Sequence, residues 1–398
     1  MRRRPCRAAR GQGGGAAGRT AILLLAALLI GVPASAQKIE SNPSYPGQWL
    51  TSYIPFIATL PNDGPSIEFR ARHWKMASYT DKVTADVQYN FRGAYSPWAG
   101  SWLVAVSMNA PRLAPGWRLA ADLRAGTQTR YGYYGLGNTS GIDPDLTKDD
   151  EPYLYRVERG LYAATVDVTR HIAGPLGGSV MLNGSITDFN SLSATSTFEE
   201  ELGTGLQQAE GSVVGALVVD LRDNEYDTRK GALLEAGGQF GVSGDTYSRW
   251  YGIARGWFPA TKSTVIAARA FASNLFGTPT LLAQQIVPGW ESPYAALGSE
   301  DSHRALPYGR FTGTGVIGTN LEVRQNIIAK GDYGAIGVVL FVDAGREFQD
   351  NFKLTFDDWT VGGGGGLVVR ILRGNVFILT YGITKNESHV GFRTGWMF

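Results

Sequence analysis

Cysteine is almost absent from this sequence of 398 residues, which contains a single one, Cys6. Disulfide bonds and thiolate metal sites are therefore excluded from nearly the whole chain. Histidine is also scarce, and its four residues are scattered rather than paired at the spacing of metal ligands. We therefore expect neither a metal site nor a cofactor.

Long apolar runs and catalytic motifs are missing as well. Beyond residue 36, no apolar run approaches the 18 residues that a transmembrane helix needs. Neither His-Glu-x-x-His nor Gly-x-Ser-x-Gly occurs, and the glycine run Gly362–Gly366 lacks the Lys-Ser/Thr ending of a phosphate loop. No basic patch stands out, so no nucleic-acid partner is expected. We expect a protein that is not an enzyme, although a serine and a histidine from distant strands would escape this search.

The first 36 residues have the order of a secretory signal peptide. Six arginines and no acidic residue precede or flank the apolar core 21–30, and Ala34-Ser35-Ala36 is a small-x-small cleavage site. Ten apolar residues are too few to span a bilayer, so an uncleaved anchor is the weaker alternative. The expected organisation is a signal peptide (1–36), a short periplasmic segment (37–48) and an outer-membrane β-barrel (49–398).

In the rest of the chain, apolar and polar residues alternate with a period of two. In residues 83–92, one face is apolar and the other is polar, as expected of a strand and not of a helix. The apolar face is Val83, Ala85, Val87, Tyr89 and Phe91; the polar face is Thr84, Asp86, Gln88, Asn90 and Arg92. Residues 117–124 repeat the pattern.

Such alternation fits either a soluble sandwich or a barrel in lipid with a polar lumen. The signal peptide, the strand lengths of about ten residues and a terminal strand that ends on an aromatic residue favour the barrel. Sixteen strands are expected, an even number that puts both termini on one side. They begin near residues 49, 66, 83, 101, 117, 153, 178, 210, 231, 247, 263, 312, 333, 359, 375 and 389. Short turns would then face the periplasm, and long loops, near 131–152, 190–208, 277–311 and 346–358, would face outward.

Several motifs occur in a fixed order in the second half of the chain. They are Asp220-Leu221-Arg222-Asp223-Asn224, Leu321-Glu322-Val323-Arg324, Phe341-Val342-Asp343-Ala344-Gly345, the glycine run and the terminal strand; Tyr134-Gly135-Leu136-Gly137-Asn138 precedes them. This set resembles the barrel of the BamA/TamA outer-membrane family, the bacterial surface antigen superfamily, in a short form without the periplasmic POTRA domains. The resemblance covers about residues 50–398.

The resemblance implies that the long loop 277–311 folds into the lumen, where an arginine at its tip meets acidic residues of the next two strands. Arg304 stands at the family's spacing after Gly298-Ser299, although Ala305 and Leu306 replace the expected glycine and aromatic residue. Strand parity puts Glu322 and Asp343 on the lumen face, and Arg310 is a second candidate for the tip arginine. A lumen lock of Arg304 with Glu322 and Asp343 is the prediction; the alternative is an Arg304 in solvent and a Glu322 facing lumen water.

The end of the chain predicts an assembly signal. Trp396 and Phe398 close an alternating strand of the kind that the outer-membrane assembly machinery reads during biogenesis, so that machinery is an expected partner beside outer-membrane lipid. The resemblance implies a barrel that aids protein insertion or translocation. The alternatives are a passive channel or surface antigen and, less favoured, an outer-membrane lipid enzyme. Without POTRA domains, a separate periplasmic partner is a further expectation.

Overall fold

The structure is a computed structural model, and it describes residues 46–60, 63–78, 81–137, 142, 151–331, 334–350, 352–371 and 375–398. The predicted signal peptide and most of the predicted periplasmic segment lie outside these residues. Among the described residues no helix is both long and apolar enough to cross a membrane, a finding that concerns helices alone.

Sixteen antiparallel strands form one sheet in which each strand pairs with its neighbours in chain order. This confirms the predicted all-β fold, and each strand begins within about five residues of its predicted start. The elements are β1 (Trp49–Leu60), β2 (Gly64–Met76), β3 (Ala85–Tyr95), β4 (Trp102–Ala114), β5 (Trp117–Gly132), β6 (Arg156–Ala173), β7 (Leu176–Ser191), α1 (Thr197–Leu202), β8 (Gly205–Asp220), β9 (Gly231–Ser243), β10 (Asp245–Pro259), β11 (Thr264–Gly277), α2 (Leu281–Gln285), β12 (Ile286–Val287), β13 (Tyr294–Ala295), β14 (Gly315–Ala329), β15 (Gly334–Phe348), β16 (Thr360–Ile371), β17 (Asn375–Thr384) and β18 (Ser388–Thr394).

The two faces of the sheet differ as the period of two requires. On β14, Leu321 and Val323 are exposed on the outer face, whereas Asn320, Glu322 and Arg324 are buried on the inner face. Exposed apolar side chains recur on the outer face of other strands, for example Leu217 and Leu340. An apolar exterior around a polar interior is the pattern of a barrel in lipid, because lipid solvates the outer face and water or protein the inner one.

The four long connections lie, as predicted, at the end of the barrel opposite to the start of β1 and the end of β18. The same end also has short turns, such as the single residue Gly244 between β9 and β10. Two of the long loops contain structure that the periodicity did not indicate. Helix α1 begins after Ser196, whose side chain accepts a hydrogen bond from the main-chain nitrogen of Glu199 (3.2 Å). Residues 278–314, which we call the lumen loop, contain α2 and the two-stranded pair of β12 with β13.

The sequence pattern predicted that the last strand runs to Phe398, and this is wrong for the last four residues. Strand β18 ends at Thr394, and Gly395 has a φ of 85°, in the left-handed region that favours glycine. Arg393 holds the turn, since its guanidinium donates to the main-chain oxygens of Gly395 (2.9 Å) and Trp396 (2.8 Å). The last three residues therefore leave the sheet.

Strands β1 and β18 lie side by side at a boundary that we call the seam. The hydrogen-bonded order of the sheet runs from β1 to β18 and, within the described residues, does not pair these two strands with each other. Side chains connect them instead. The ring of Phe56 lies 6.3 Å from that of Phe392 between centroids, and Arg70 of β2 donates to Thr394 Oγ1 (2.6 Å).

Candidate functional site

The lumen loop is packed inside the barrel against the inner faces of β10, β11, β14 and β15. Its residues Leu297, His303, Leu306 and Phe311 are each 3% exposed or less, although they belong to a connection rather than to the sheet. Leu297, Leu306 and Phe311 share a hydrophobic cluster with inward-facing residues of the wall, among them Phe271. Burial of this apolar surface holds most of the loop in place.

The tip of the lumen loop is a tight turn between Gly298 and Leu306. Gly298 and Ser299 both have positive φ, 117° and 84°, and a Cβ on Gly298 would lie 2.6 Å from the main-chain oxygen of Pro307. The main-chain nitrogens of Ser302 and His303 both donate to the oxygen of Ser299. This turn points the side chain of Arg304 at the wall of the barrel.

Arg304 lies between Asp343 and Glu322. Asp343 accepts three hydrogen bonds from this residue, from its main-chain nitrogen (2.9 Å), from Nε (2.9 Å) and from Nη2 (2.8 Å), while Nη1 donates to Glu322 (2.5 Å). The guanidinium carbon is 3.9 Å from the ring centroid of Phe341. The structure therefore brings together the three residues of the predicted lock, and charge-assisted bonds to both acids fix the position of the guanidinium.

The charged side chains of this cluster are buried next to partners of opposite charge. The side chains of Arg304, Glu322 and Asp343 are at most 3% exposed, so an unpaired member would be costly. Burial lowers the pKa of Arg304, but Asp343 and Glu322 outweigh it and raise that pKa above its usual value. Burial also lowers the pKa of the neighbouring His303, which keeps its imidazole neutral at neutral pH. One cation thus faces two carboxylates.

A second arginine, Arg324, completes the balance and leads to the end of the chain. Its guanidinium donates to Glu322 (2.6 Å) and to the main-chain oxygen of Phe398 (2.6 Å), and its Cζ lies 4.1 Å from the ring centroid of Trp396. Trp396 Nε1 donates to Asp227 (3.0 Å). The two residues of the predicted assembly signal therefore lie inside the terminal end of the barrel, and a continuous path of polar contacts joins them to Arg304.

Arg310, the second candidate for the tip arginine, is placed elsewhere. Its Nε donates to Glu387 (2.8 Å), in the connection between β17 and β18, and its Cζ lies 5.3 Å from the ring centroid of Tyr134. The Tyr134 motif also contacts the loop through its backbone, since the nitrogen of Gly137 donates to the oxygen of Thr312 (2.7 Å). The last residue of that motif, Asn138, lies outside the described residues. These contacts hold the outer part of the lumen loop.

The loop tip approaches the wall closely at two glycines. A Cβ on Gly362 would lie 2.7 Å from Cβ of Ala305, and a Cβ on Gly382 would lie 2.7 Å from Cα of the same residue. The glycine run thus has alternating roles, because Gly362 faces the loop whereas Gly363 faces outward. A side chain at either inward position would push the tip, and with it Arg304, away from the two acids.

We expect Gly362→Val to displace the loop tip and destabilise the barrel by about 1–3 kcal/mol, the usual cost of overpacking a filled interior. Urea unfolding in lipid vesicles, followed by tryptophan fluorescence, measures this effect. Gly363→Val is the matched control, since its nearest neighbour would be 3.4 Å away and its side chain would face lipid. Equal destabilisation by both variants would contradict the close approach.

A second ionic cluster in the lumen was missed by sequence reasoning. Glu291 of the lumen loop pairs with Arg222 (2.8 Å) and Arg255 (3.1 Å), and Arg222 also binds Asp220 (2.9 Å). Burial raises the pKa of Glu291, but the two arginines outweigh it and keep that pKa below its usual value. The Asp220-Leu221-Arg222 sequence by itself indicated only a turn, and nothing in the spacing pointed to Glu291.

Cation sites are not evident. Within the described ranges, no group of three or more His, Cys, Asp or Glu side chains is placed to hold a metal ion. The chemistry that the described residues do show is that of ion pairs in a confined space, which hold the lumen loop in one position.

The sixteen-stranded barrel defines the class of protein by its fold. Two solved structures have this fold: BamA from Haemophilus ducreyi lacking POTRA domains 1–3, with a TM-score of 0.53, and CdiB from Escherichia coli, with a TM-score of 0.55. Each shares 12% sequence identity with the chain; the matches cover 87% and 89% of this chain, and 69% and 63% of the other chains. No family profile and no curated protein matches the sequence. The likeness is one of fold, and it agrees with the resemblance that the motifs indicated.

Proposed function

We propose that this barrel assists the insertion or translocation of polypeptides at the outer membrane and has no enzymatic activity of its own. The observation that carries the proposal is the seam. Unpaired backbone N–H and C=O groups at a strand edge are a template for another strand. An extended segment of a client protein can add to such an edge through main-chain hydrogen bonds.

The seam is held together more weakly than the rest of the wall. Elsewhere each strand is joined to its neighbours by a hydrogen-bonded ladder, for example between β15 and β16, and each such bond contributes about 0.5–1.5 kcal/mol. At the seam the contacts include the rings of Phe56, Phe377 and Phe392 and the bond from Arg70 to Thr394. Opening the barrel there therefore costs less than opening it anywhere along a ladder.

The lumen loop favours this function over the alternative of a passive channel. Its buried segment occupies the lumen beside β10, β11, β14 and β15, and ion pairs fix it there. A passive channel needs a lasting aqueous path, so single-channel recordings of the wild type should show small and infrequent openings. A large, steady conductance would favour the channel instead.

A covalent bridge across the seam tests the proposal. Since the only cysteine is Cys6, in the predicted signal peptide, the double variant Phe56→Cys with Phe392→Cys can be joined by a short bifunctional maleimide. We expect the bridge to abolish most of the acceleration that the protein gives to the folding of a small barrel into vesicles. The control is Leu321→Cys with Val342→Cys, two directly opposed residues of an existing ladder. Unchanged acceleration in the bridged seam variant would contradict the proposal.

Partners follow from the same proposal. A barrel that receives unfolded clients needs them delivered, so we propose a separate periplasmic protein that binds the terminal end of the barrel. The outer-membrane assembly machinery is proposed as a partner during biogenesis of the barrel itself. Cross-linking in intact cells from a photoreactive residue at the exposed Phe258, near the turn between β10 and β11, would capture such a partner.

A further inference from the structure

A cavity of about 310 Å³ lies in the lumen, on the side that the lumen loop leaves unfilled. Ala58 of β1 and Phe392 of β18 contribute to its wall, so the cavity borders the seam. Asp301 and Tyr308 of the lumen loop close another side. At about 30 Å³ per water molecule, this space holds a small solute together with its hydration water.

Positive charge predominates in the wall of this cavity. Five arginines face three carboxylates there; they are Arg70, Arg92, Arg124, Arg159 and Arg393, against Glu68, Glu300 and Asp301. The strand register concentrates three of the arginines in one row. Arg70 is directly opposite Arg92, Arg92 is opposite Ala105, and Ala105 is opposite Arg124. Like charges placed opposite each other on one face destabilise a sheet unless something compensates them.

The carboxylates of the cavity compensate only part of the positive charge of these arginines. Glu68 serves two arginines at once, Arg70 (2.5 Å) and Arg92 (2.8 Å). Asp301 pairs with Arg393 (3.2 Å), and Glu300 contacts His389 (3.1 Å). Arg124 is paired with Asp122 (2.6 Å), although 41% of its side chain remains exposed. The cavity therefore has an excess of guanidinium groups over the acids that line it.

Among the arginines that line the cavity, Arg159 has the most buried nitrogen atoms without a hydrogen-bond partner. The residue is only 7% exposed, its Nη2 donates to Gln128, and its Cζ lies 3.8 Å above the ring centroid of Tyr131. Its Nε and Nη1 are buried and have no hydrogen-bond partner within the described residues. A buried guanidinium with two vacant donors is costly. The planar fork of donors matches the oxygens of a carboxylate or phosphate.

We propose that this cavity binds one small oxyanion of the phosphate class, with Arg159 as the buried anchor and Arg124 and Arg92 as the exposed members of the site. The site is independent of the proposed insertion function. The excess positive charge in a confined space raises the local concentration of anions. The vacant Nε and Nη1 of Arg159 lie just below the cavity surface, and rotation of the guanidinium brings them to the ligand as directional contacts. A phosphate group can arrive as the free anion or as the headgroup of a lipid that reaches the cavity through the seam.

Isothermal titration of the purified full-length barrel in a neutral detergent, at constant ionic strength, tests the site with inorganic phosphate as the probe. We expect saturable binding to the wild type and binding at least about tenfold weaker in Arg159→Gln, as the loss of one charge-assisted contact implies. Arg112→Gln is the matched control, because that arginine pairs with Asp81 in a turn at the terminal end, outside the cavity. Its affinity should equal that of the wild type.

A second variant and a displacement experiment test the same site further. If Arg159→Gln does not fold, Arg124→Gln removes a half-exposed member of the same cavity and should also weaken binding. Displacement of phosphate by a short-chain phosphatidylglycerol would identify a headgroup as the ligand; lack of displacement would identify the free anion, and both results uphold an oxyanion site. No saturable binding to the wild type, or unaltered affinity in both cavity variants, would overturn it.

Discussion

Replacing Arg304 with alanine should release the lumen loop and raise the conductance of the barrel several-fold. The substitution removes two of the three bonds to Asp343 and the one to Glu322, and leaves a buried carboxylate without its cation. Breaking a buried ion pair from one side costs about 3–5 kcal/mol. Single-channel recording measures the opening of the lumen, and urea unfolding in vesicles measures the loss of stability.

The structure specifies which partner should rescue this variant. Asp343 takes most of the bonds of Arg304, whereas Glu322 keeps Arg324 as a partner. Adding Asp343→Asn to Arg304→Ala removes the unpaired charge, so the double variant should recover part of the lost stability. Arg310→Ala is the control, since that arginine is as buried but binds Glu387 and not the two acids. Equal conductance in Arg310→Ala and Arg304→Ala would contradict the prediction, because the tip lock would then hold the lumen loop no more firmly than its outer contact with Glu387 does.

Removing Phe398 should lower the yield of folded barrel more than any other single deletion at the end of the chain. Its ring is buried beside Trp257, and its main-chain oxygen accepts the bond from Arg324. Truncating a buried phenylalanine costs about 3–5 kcal/mol, and deletion also moves the terminal oxygen away from Arg324. Heat-modifiable migration on gels gives the folded fraction, and Phe398→Ala separates the ring from the oxygen.

A comparison of cells with purified protein distinguishes two roles of Phe398. If the residue acts only as a recognition signal for the assembly machinery, Phe398→Ala should fail in cells and fold normally from urea into detergent. Since the ring is packed in the terminal end of the barrel, we expect impaired folding in both settings. Phe356→Ala is the control: that phenylalanine is 85% exposed in an outer loop, and its loss should leave the folded fraction unchanged.

The sequence predicted the wall of the barrel well because alternation is a local property. Apolar and polar residues must alternate along a strand that separates lipid from a polar lumen. The sequence of each segment therefore indicates which residues face outward and where the strand begins and ends. The inward positions of Glu322 and Asp343 followed from this parity. Arg304 was singled out by the resemblance, and its position at the wall depends on the positive φ of Gly298 and Ser299.

The features that the sequence could not predict depend on the three-dimensional course of loops and on the packing around single side chains. The pairs of Glu291 with Arg222 and Arg255 require the course of the lumen loop, which has no periodicity to follow. The inward turn at Gly395 opposes the alternation of the last residues, and it is stabilised by Arg393, whose role no pattern indicated. The vacant donors of Arg159 likewise follow from packing around one residue and not from a motif.

Most of the groups that hold the loop tip have one property in common, which is their order along the chain. Glu322, Asp343, Gly362, Gly382 and Phe398 all follow the lumen loop, which ends at residue 314. A chain synthesised and exported from its N-terminus therefore presents the lumen loop after β10 and β11, against which it packs, but before the acids and glycines that contact its tip. Arg304 can take its place between Glu322 and Asp343 only after β14 and β15 have formed. A loop tip in this position therefore indicates that the strands made after the loop are in place.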